Sequence, residues 1–137
     1  MFNIETKTDY GFIIMLELAK HHKQGYLSLS EIASAKKLSA GYLAQLIYPL
    51  VKTGLIVSKE GKGGGYALAK DPKRIFVLEI IEAFDGPLHL VKCLKINSKL
   101  CDGFHVCEAK KVWPIIIKEV RQVLAKKNLA TLLKEIV

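Results

Sequence analysis

The chain has 137 residues, with 21 lysines and arginines against 13 aspartates and glutamates, which gives a formal net charge of +8. This length suits one domain with a modest apolar core, and the basic excess favours a polyanion as partner. No apolar run approaches the roughly 18 residues of a membrane span, and no basic leader with a cleavage site is visible, so we expect a cytoplasmic protein without membrane attachment.

The first predicted helix runs from Tyr10 to about His21. Thr6, followed three residues later by Asp9, fits a capping box ahead of the apolar run. Apolar residues at helical spacing then occupy two sides of the helix. A helix of this kind is buried on both sides, so we expect its own domain to cover one and a second subunit to cover the other.

Two short helices joined by a tight turn are predicted next. A second capping box from Ser28 predicts a helix over residues 29–36. Ser39 is placed to cap another helix over residues 40–53, which Gly54 ends. Two helices of this length with so short a connection are typical of a helix-turn-helix.

Residues 55–68 are predicted to form a hairpin with a glycine-rich tip. A nucleotide-binding loop is the alternative, but the run lacks the Gly-Lys-Ser/Thr ending of a P-loop, and Tyr66 stands where a dinucleotide fingerprint needs its last glycine. A hairpin directly after a helix-turn-helix is better interpreted as a wing that lies on the sugar-phosphate backbone of DNA. The expected backbone contacts are Lys59, Lys62, Gly63 and Gly64.

The helix-turn-helix and wing are also rich in basic residues. Between positions 36 and 74 eight lysines and arginines stand against only Glu60 and Asp71. Such a local surplus is a candidate phosphate footprint, with a merely solvated face as the alternative.

The rest of the chain is predicted to be helical on either side of an irregular segment. A short helix over residues 77–84 precedes residues 88–106, which show no sustained period. A longer helix is predicted from about Ala109; Pro114 fits a first turn, so its hydrogen-bonded part is expected to begin near Trp113. A last helix follows Asn128. Their long apolar stripe is expected to pack on its twin in a second chain, with packing inside the chain as the alternative.

Three cysteines lie in or beside the irregular segment: Cys93, Cys101 and Cys107. In a reducing compartment an odd number of cysteines favours metal or redox chemistry over disulfides. Their gaps of seven and five residues depart from the close pairs of structural zinc sites, whereas iron-sulfur clusters accept wider gaps and one ligand other than cysteine. Zinc and unligated redox thiols stay open. His105 and Asp9 are the candidates for a fourth ligand, although Asp9 equally suits a helix cap.

The sequence resembles the family of dimeric bacterial winged-helix regulators that includes IscR, NsrR and CymR. The resemblance covers nearly the whole chain. Besides the cysteines, its carriers are Thr8-Asp9-Tyr10-Gly11, Leu29-Ser30-Glu31-Ile32-Ala33, Tyr42-Leu43-Ala44-Gln45-Leu46, Leu50-Val51-Lys52-Thr53-Gly54-Leu55-Ile56 and Gly61-Lys62-Gly63-Gly64-Gly65-Tyr66.

This resemblance implies a mainly α-helical homodimer that binds a double-stranded DNA operator. The expected parts are a winged helix-turn-helix domain with a two-stranded wing over residues 1–87, a cysteine cluster-binding loop over 88–107, and a long dimerisation helix with a C-terminal helix over 108–137. The residues expected to face the major groove are Ser39, Ala40, Tyr42 and Gln45.

The three cysteines imply the branch of this family that binds a cluster, here 4Fe-4S in preference to 2Fe-2S. IscR-like members carry a histidine three residues after the third cysteine, where this chain has Lys110. The run Thr8-Asp9-Tyr10-Gly11 and residues 88–93 are more similar to NsrR. In some NsrR proteins the acidic residue that matches Asp9 is a cluster ligand supplied by the opposite subunit.

The expected function is therefore a transcription repressor, not an enzyme, whose operator binding is controlled by an iron-sulfur cluster that senses nitric oxide or oxidative stress. A regulator that reads the cellular supply of clusters is one alternative. A metal-handling or electron-transfer protein that does not bind DNA is the other.

Overall fold

The computed structural model describes residue 4 and residues 6–90 and 107–137. Within them the chain forms α1 (Thr6–Lys20), α2 (Leu29–Lys36), α3 (Ala40–Lys52), β1 (Ile56–Lys59), β2 (Gly65–Leu68), a 3-10 turn (Pro72–Arg74), α4 (Val77–Asp85), α5 (Ala109–Lys126) and α6 (Leu129–Ile136). The predicted fold class is confirmed: the protein is mainly α-helical, α2 and α3 form a helix-turn-helix, and the two antiparallel strands form its wing. No helix in the described ranges is long and apolar enough to cross a bilayer.

Local hydrogen bonds set the limits of the helix-turn-helix. The Glu31 amide donates to Ser28 Oγ (3.1 Å) and the Ser28 amide donates to Glu31 Oε2 (2.8 Å), which completes the predicted capping box. At the end of α2, Lys37 adopts a left-handed conformation with φ 56° and turns the chain toward α3. Ser39 Oγ then accepts from the Tyr42 amide (3.3 Å), so the predicted cap of α3 is confirmed.

The core lies where α1, α2 and α3 meet. Its fully buried side chains include Ile14 from α1, Ile32 from α2 and Leu43 from α3. Ile80 of α4 and Leu129 of α6 join the same cluster. Since each buried leucine or isoleucine contributes about 1.5–3 kcal/mol, this cluster fixes α3 with one face inward.

The wing is fixed to the rest of the domain at its base. Ile56 pairs with Leu68 and Lys59 with Gly65 across the hairpin. The Leu27 and Tyr66 amides each donate to the carbonyl of the other residue, at 2.9 and 2.7 Å. This pair of bonds ties β2 to the loop before α2, so the wing cannot pivot freely.

Helix α1 begins at Thr6, four residues earlier than predicted. Thr6 is thus a helical residue, and Asp9 lies in the first turn, not opposite a Thr6 cap. The reason is tertiary: Thr8 is fully buried, and a Cβ on Gly11 would come within 2.3 Å of Phe84 Cε2. Packing against α4 therefore extends the helix toward the N-terminus.

Two further predictions for the C-terminal helices need correction. Helix α5 begins at Ala109, as the helical pattern predicted, and continues through Pro114. Its hydrogen bonds begin earlier than Trp113, because the Lys111 amide donates to the Glu108 carbonyl (2.9 Å) and closes a turn ahead of the proline. Helix α6 packs on its own domain, because Leu129 is fully buried and its amide donates to the Ile75 carbonyl (2.8 Å). Packing within the chain thus accounts for the inner face of α6.

Candidate nucleic-acid interface

The outward face of α3 is a single stripe of exposed residues. Its members recur three or four positions apart and point away from the buried residues Leu43 and Leu50. This stripe, called the α3 face below, consists of Gly41, Ala44, Gln45, Tyr48 and Lys52. Because Gly41 and Ala44 carry almost no side chain, the helix backbone could come close to the floor of a DNA groove at these positions.

The structure places the four predicted groove residues differently. Gln45 is exposed on the α3 face. Tyr42 is 37% exposed, and its ring meets the ring of Tyr10 edge to face, with centroids 5.1 Å apart and planes at 89°. Ser39 is exposed, but its hydroxyl already accepts the Tyr42 amide, and Ala40 packs against the core. Gln45 and Tyr42 are thus the best placed of the four.

Two tyrosine-lysine pairs were missed by sequence reasoning. Tyr48 is 65% exposed, and Lys52 Nζ lies 6.0 Å from the centroid of its ring. Lys59 Nζ lies 5.7 Å from the ring centroid of Tyr26, in the loop that leads to α2. Each pair combines a cation with an aromatic face, an arrangement suited to phosphate and sugar contacts. Tyr48 stands at helical spacing from Gln45, a signal that could have revealed it.

The tip of the wing presents the predicted lysines and glycines. Lys59, Lys62 and Gly63 are exposed. Gly64 is half-buried; its amide donates to the Gly61 carbonyl (3.0 Å), and a Cβ on it would lie 2.2 Å from the Lys59 carbonyl oxygen. Gly64 therefore shapes the turn, while the lysines beside it are available for phosphates.

Two of the eight basic residues in the surplus are engaged inside the fold. Lys70 Nζ lies 2.8 Å from Glu79 Oε1, and Lys36 Nζ lies 3.1 Å from Glu17 Oε2. Among the described residues this Glu17 oxygen has no well-aligned hydrogen bond, so the attraction is mainly between charges. Burial raises the pKa of the Glu17 carboxyl, but the contact with Lys36, together with the nearby Lys20 and His21, outweighs burial and holds the pKa below its ordinary value. The pair joins α1 to α2.

The predicted metal ligands fall partly within the described residues. Cys107 is half-buried two residues before α5, and Asp9 is exposed in the first turn of α1. Cys93, Cys101 and His105 lie outside the described residues. Within the ranges that are described, no group of three or more His, Cys, Asp or Glu side chains is arranged to hold a metal ion. A thiol and a carboxylate are donors that iron accepts, so the two described residues fit an iron-sulfur cluster chemically.

The helix-turn-helix and the two-stranded hairpin that follows it define a winged helix-turn-helix protein. The profile of the Rrf2 family, described as an iron-dependent transcriptional regulator, matches residues 4–135. The chain is 37% identical over 129 residues to the helix-turn-helix transcriptional regulator CymR of Bacillus subtilis, a match that covers 94% of this chain and 88% of CymR. It is 33% identical over 131 residues to IscR of Xenorhabdus nematophila, covering 96% and 79%.

Solved structures give the same result. CymR, the global cysteine regulator of B. subtilis, superposes with a TM-score of 0.78 at 37% identity and with 98% of both chains covered. IscR of T. potens gives 0.74 at 36% identity, covering 99% of this chain and 89% of that one. The chain belongs to the Rrf2 family of helix-turn-helix transcriptional regulators, and these relatives are regulators, not enzymes.

Proposed function

We propose that this protein is a homodimeric repressor that inserts α3 of each subunit into the major groove of an operator. The observation that carries the proposal is the α3 face, which is fully separated from the core side of the helix. A recognition helix needs this arrangement, because its reading side chains must leave the domain while its other face fixes their position.

The chemistry of the exposed side chains suits both base and backbone contacts. The amide of Gln45 can donate to and accept from one adenine edge. The rings of Tyr42 and Tyr48 offer hydroxyl groups and apolar surface for a thymine methyl group. Lys52, Lys59 and Lys62 supply phosphate contacts, which position the protein without reading sequence. Specificity therefore resides in α3 and affinity in both α3 and the wing.

The proposed dimer uses the exposed side of α5. Four of its apolar side chains are more than two-fifths exposed in the single chain: Val112, Ile115, Ile116 and Val123. Exposed apolar surface of this kind marks an interface, and a second copy offers a matching stripe. Arg121 Nη1 donates to Glu82 Oε2 (2.5 Å), which ties α5 to α4. A dimer formed through α5 would thus set the separation of the two α3 helices, which must match about 34 Å of DNA.

An iron-sulfur cluster, 4Fe-4S in preference to 2Fe-2S, would be held by Cys93, Cys101 and Cys107, with Asp9 as fourth ligand. It would supply iron that nitric oxide or oxidants attack. The neighbouring residues are firmly placed: Glu82 Oε2 accepts from the Leu88 amide (2.8 Å) as well as from Arg121. The Glu82 carboxylate thus holds the chain both before and after the cysteine segment. We expect these two hydrogen bonds to respond to what the thiols bind.

The similarity to CymR favours a second candidate function. CymR is the global cysteine regulator of B. subtilis. On that reading this chain would regulate transcription in response to cysteine metabolism without a cluster. A regulator that reads cluster supply, like the IscR relatives, would carry the cluster but respond to iron starvation in place of nitric oxide.

Anaerobic purification tests these candidates. Visible absorption and counts of iron and sulfide should show a cluster in the wild type and its loss in Cys101→Ala, while both proteins keep the same helical circular dichroism. Operator affinity should then fall after treatment with nitric oxide. A colourless, iron-free protein that still binds its operator would support the CymR-like function, and equal affinities with and without nitric oxide would overturn nitric oxide sensing.

A further inference from the structure

We infer that Tyr10 is a positioning residue for DNA recognition, acting through Tyr42. This inference rests on the proposed function, because it assigns a role within the reading of DNA by α3. Tyr10 lies on α1, outside the helix-turn-helix and the wing. Its ring packs on that of Tyr42, and this contact links it to the helix that reads DNA.

The contact between the two rings is specific in geometry. Their centroids are 5.1 Å apart and their planes stand at 89°, an edge-to-face arrangement that aromatic rings favour over flat stacking. Tyr42 is the third residue of α3, in the part of a recognition helix that reaches base edges. With Tyr10 packed against it, Tyr42 is still 37% exposed. Tyr10 therefore restricts the directions in which Tyr42 can point.

Tyr10 is itself held on a firm support. On either side of it along α1, the chain is fixed to the end of α4. Thr8 is fully buried, and its hydroxyl donates to Asp85 Oδ2 (3.4 Å). Gly11 packs so closely on Phe84 that an added Cβ would lie 2.3 Å from the ring. A support with so little freedom can keep the Tyr42 ring in one orientation before DNA arrives.

Such preorganisation reduces the conformational entropy that the protein loses on binding DNA. A tyrosine that samples several rotamers in the free protein loses that freedom when it contacts a base. If Tyr10 already restricts Tyr42, a smaller loss remains. The benefit appears only where Tyr42 touches its proper base, so it should raise operator binding more than binding to unrelated duplex.

A role confined to the core is the competing explanation, since Tyr10 also packs against the core cluster. Loss of core packing would lower stability alone. A positioning role would instead change discrimination between DNA sequences, and would depend on Tyr42. A double-mutant cycle measures that dependence directly.

The test uses full-length Tyr10→Leu, Tyr10→Phe, Tyr42→Leu and the Tyr10→Leu/Tyr42→Leu pair. The probes are a duplex selected from a random pool by the wild-type protein and a scrambled duplex of equal length. We expect Tyr10→Leu to bind the selected duplex about two- to tenfold more weakly and the scrambled duplex unchanged. Tyr10→Phe should retain wild-type binding, and Tyr10→Leu should add no further loss in the Tyr42→Leu background.

The inference is overturned if Tyr10→Leu binds the selected duplex like the wild type, or if it costs the same factor with Tyr42 already removed. Tyr10→Met, which also removes the ring but has a flexible side chain that adapts to the space left behind, replaces the leucine variant if that one does not fold. If the wild-type protein selects no duplex at all, the proposed function fails first, and this inference fails with it. If the wild-type protein selects a duplex and Tyr10→Leu binds that duplex equally well, only the positioning role of Tyr10 is refuted and the proposed function stands.

Discussion

The close approach of the wing to the body of the domain gives the sharpest stability prediction. Gly65 has φ +140°, and a Cβ added there would lie 2.3 Å from the Leu27 carbonyl oxygen. Neither the backbone of Gly65 nor the Leu27 carbonyl can move aside easily, because the hydrogen bonds between Leu27 and Tyr66 hold both segments in place. Gly65→Ala should therefore force the wing away from the loop before α2.

The magnitude follows from two costs. A non-glycine residue in this backbone region costs about 1–3 kcal/mol, and overpacking at a rigid contact costs a further 1–3 kcal/mol. Gly61 supplies the matched control, since it also has a positive φ (+88°) but nothing lies within 4 Å of its added Cβ. Gly61→Ala should lose only the conformational part, so the free energy of unfolding of Gly65→Ala should be lower than that of Gly61→Ala by about 1–3 kcal/mol.

Urea unfolding followed by circular dichroism measures the difference between the two variants. Amide hydrogen exchange at Leu27 and Tyr66 shows whether the wing has separated locally, in which case part of the cost appears as lost protection of these amides. Equal unfolding midpoints for the two variants, with full protection at both amides, would refute the close contact at the base of the wing.

Three further predictions concern charge, acid stability and assembly. Lys62→Ala should weaken binding to operator and scrambled duplex alike and reduce the salt slope by about 1, because this lysine would neutralise one phosphate; an unchanged slope in a salt titration would remove it from the interface. Although burial raises the pKa of Glu17, Lys36 with the nearby Lys20 and His21 holds this pKa below its ordinary value of 4.5. These contacts therefore contribute stability above that pH, and the contribution is lost as the pH falls through the lowered pKa. Glu17→Gln should accordingly flatten the acid side of a stability-pH profile measured by urea unfolding, and an equally steep acid side would contradict the pair's role. Ile115 is 66% exposed, so Ile115→Asp should leave the monomer folded yet break the proposed dimer through α5, which sedimentation velocity with circular dichroism can verify; a stable dimer of this variant would exclude this face of α5.

The helix-turn-helix could be predicted because its signals are local. The Ser28-Glu31 capping box and the Ser39 cap join groups no more than three residues apart, so the sequence carries both partners of each bond. The start of α1 could not be predicted in the same way. Its first residues are helical because Thr8 and Gly11 pack on α4, more than seventy positions away.

Periodicity likewise identified the apolar faces of the last two helices but not what covers them. Leu129 is fully buried against its own domain, whereas Val123, only six residues earlier, is 67% exposed. Both residues have the same apolar character, and only the path of the chain separates them. Tyr48 was missed for another reason: its spacing of three from Gln45 places it on the outward side of α3, but an aromatic side chain suggests a core position, and the structure shows that it is 65% exposed.

Operator discrimination by Gln45 tests the role of α3 most directly. The measurement compares wild type and Gln45→Ala on a duplex selected from a random pool, its single-base variants and a scrambled duplex, at several salt concentrations. We expect the wild type to prefer the selected duplex by at least about a thousandfold, and Gln45→Ala to lose about 1–3 kcal/mol of discrimination at one base pair with an unchanged salt slope. Full discrimination by Gln45→Ala at every base pair would contradict a reading role for the outward face of α3.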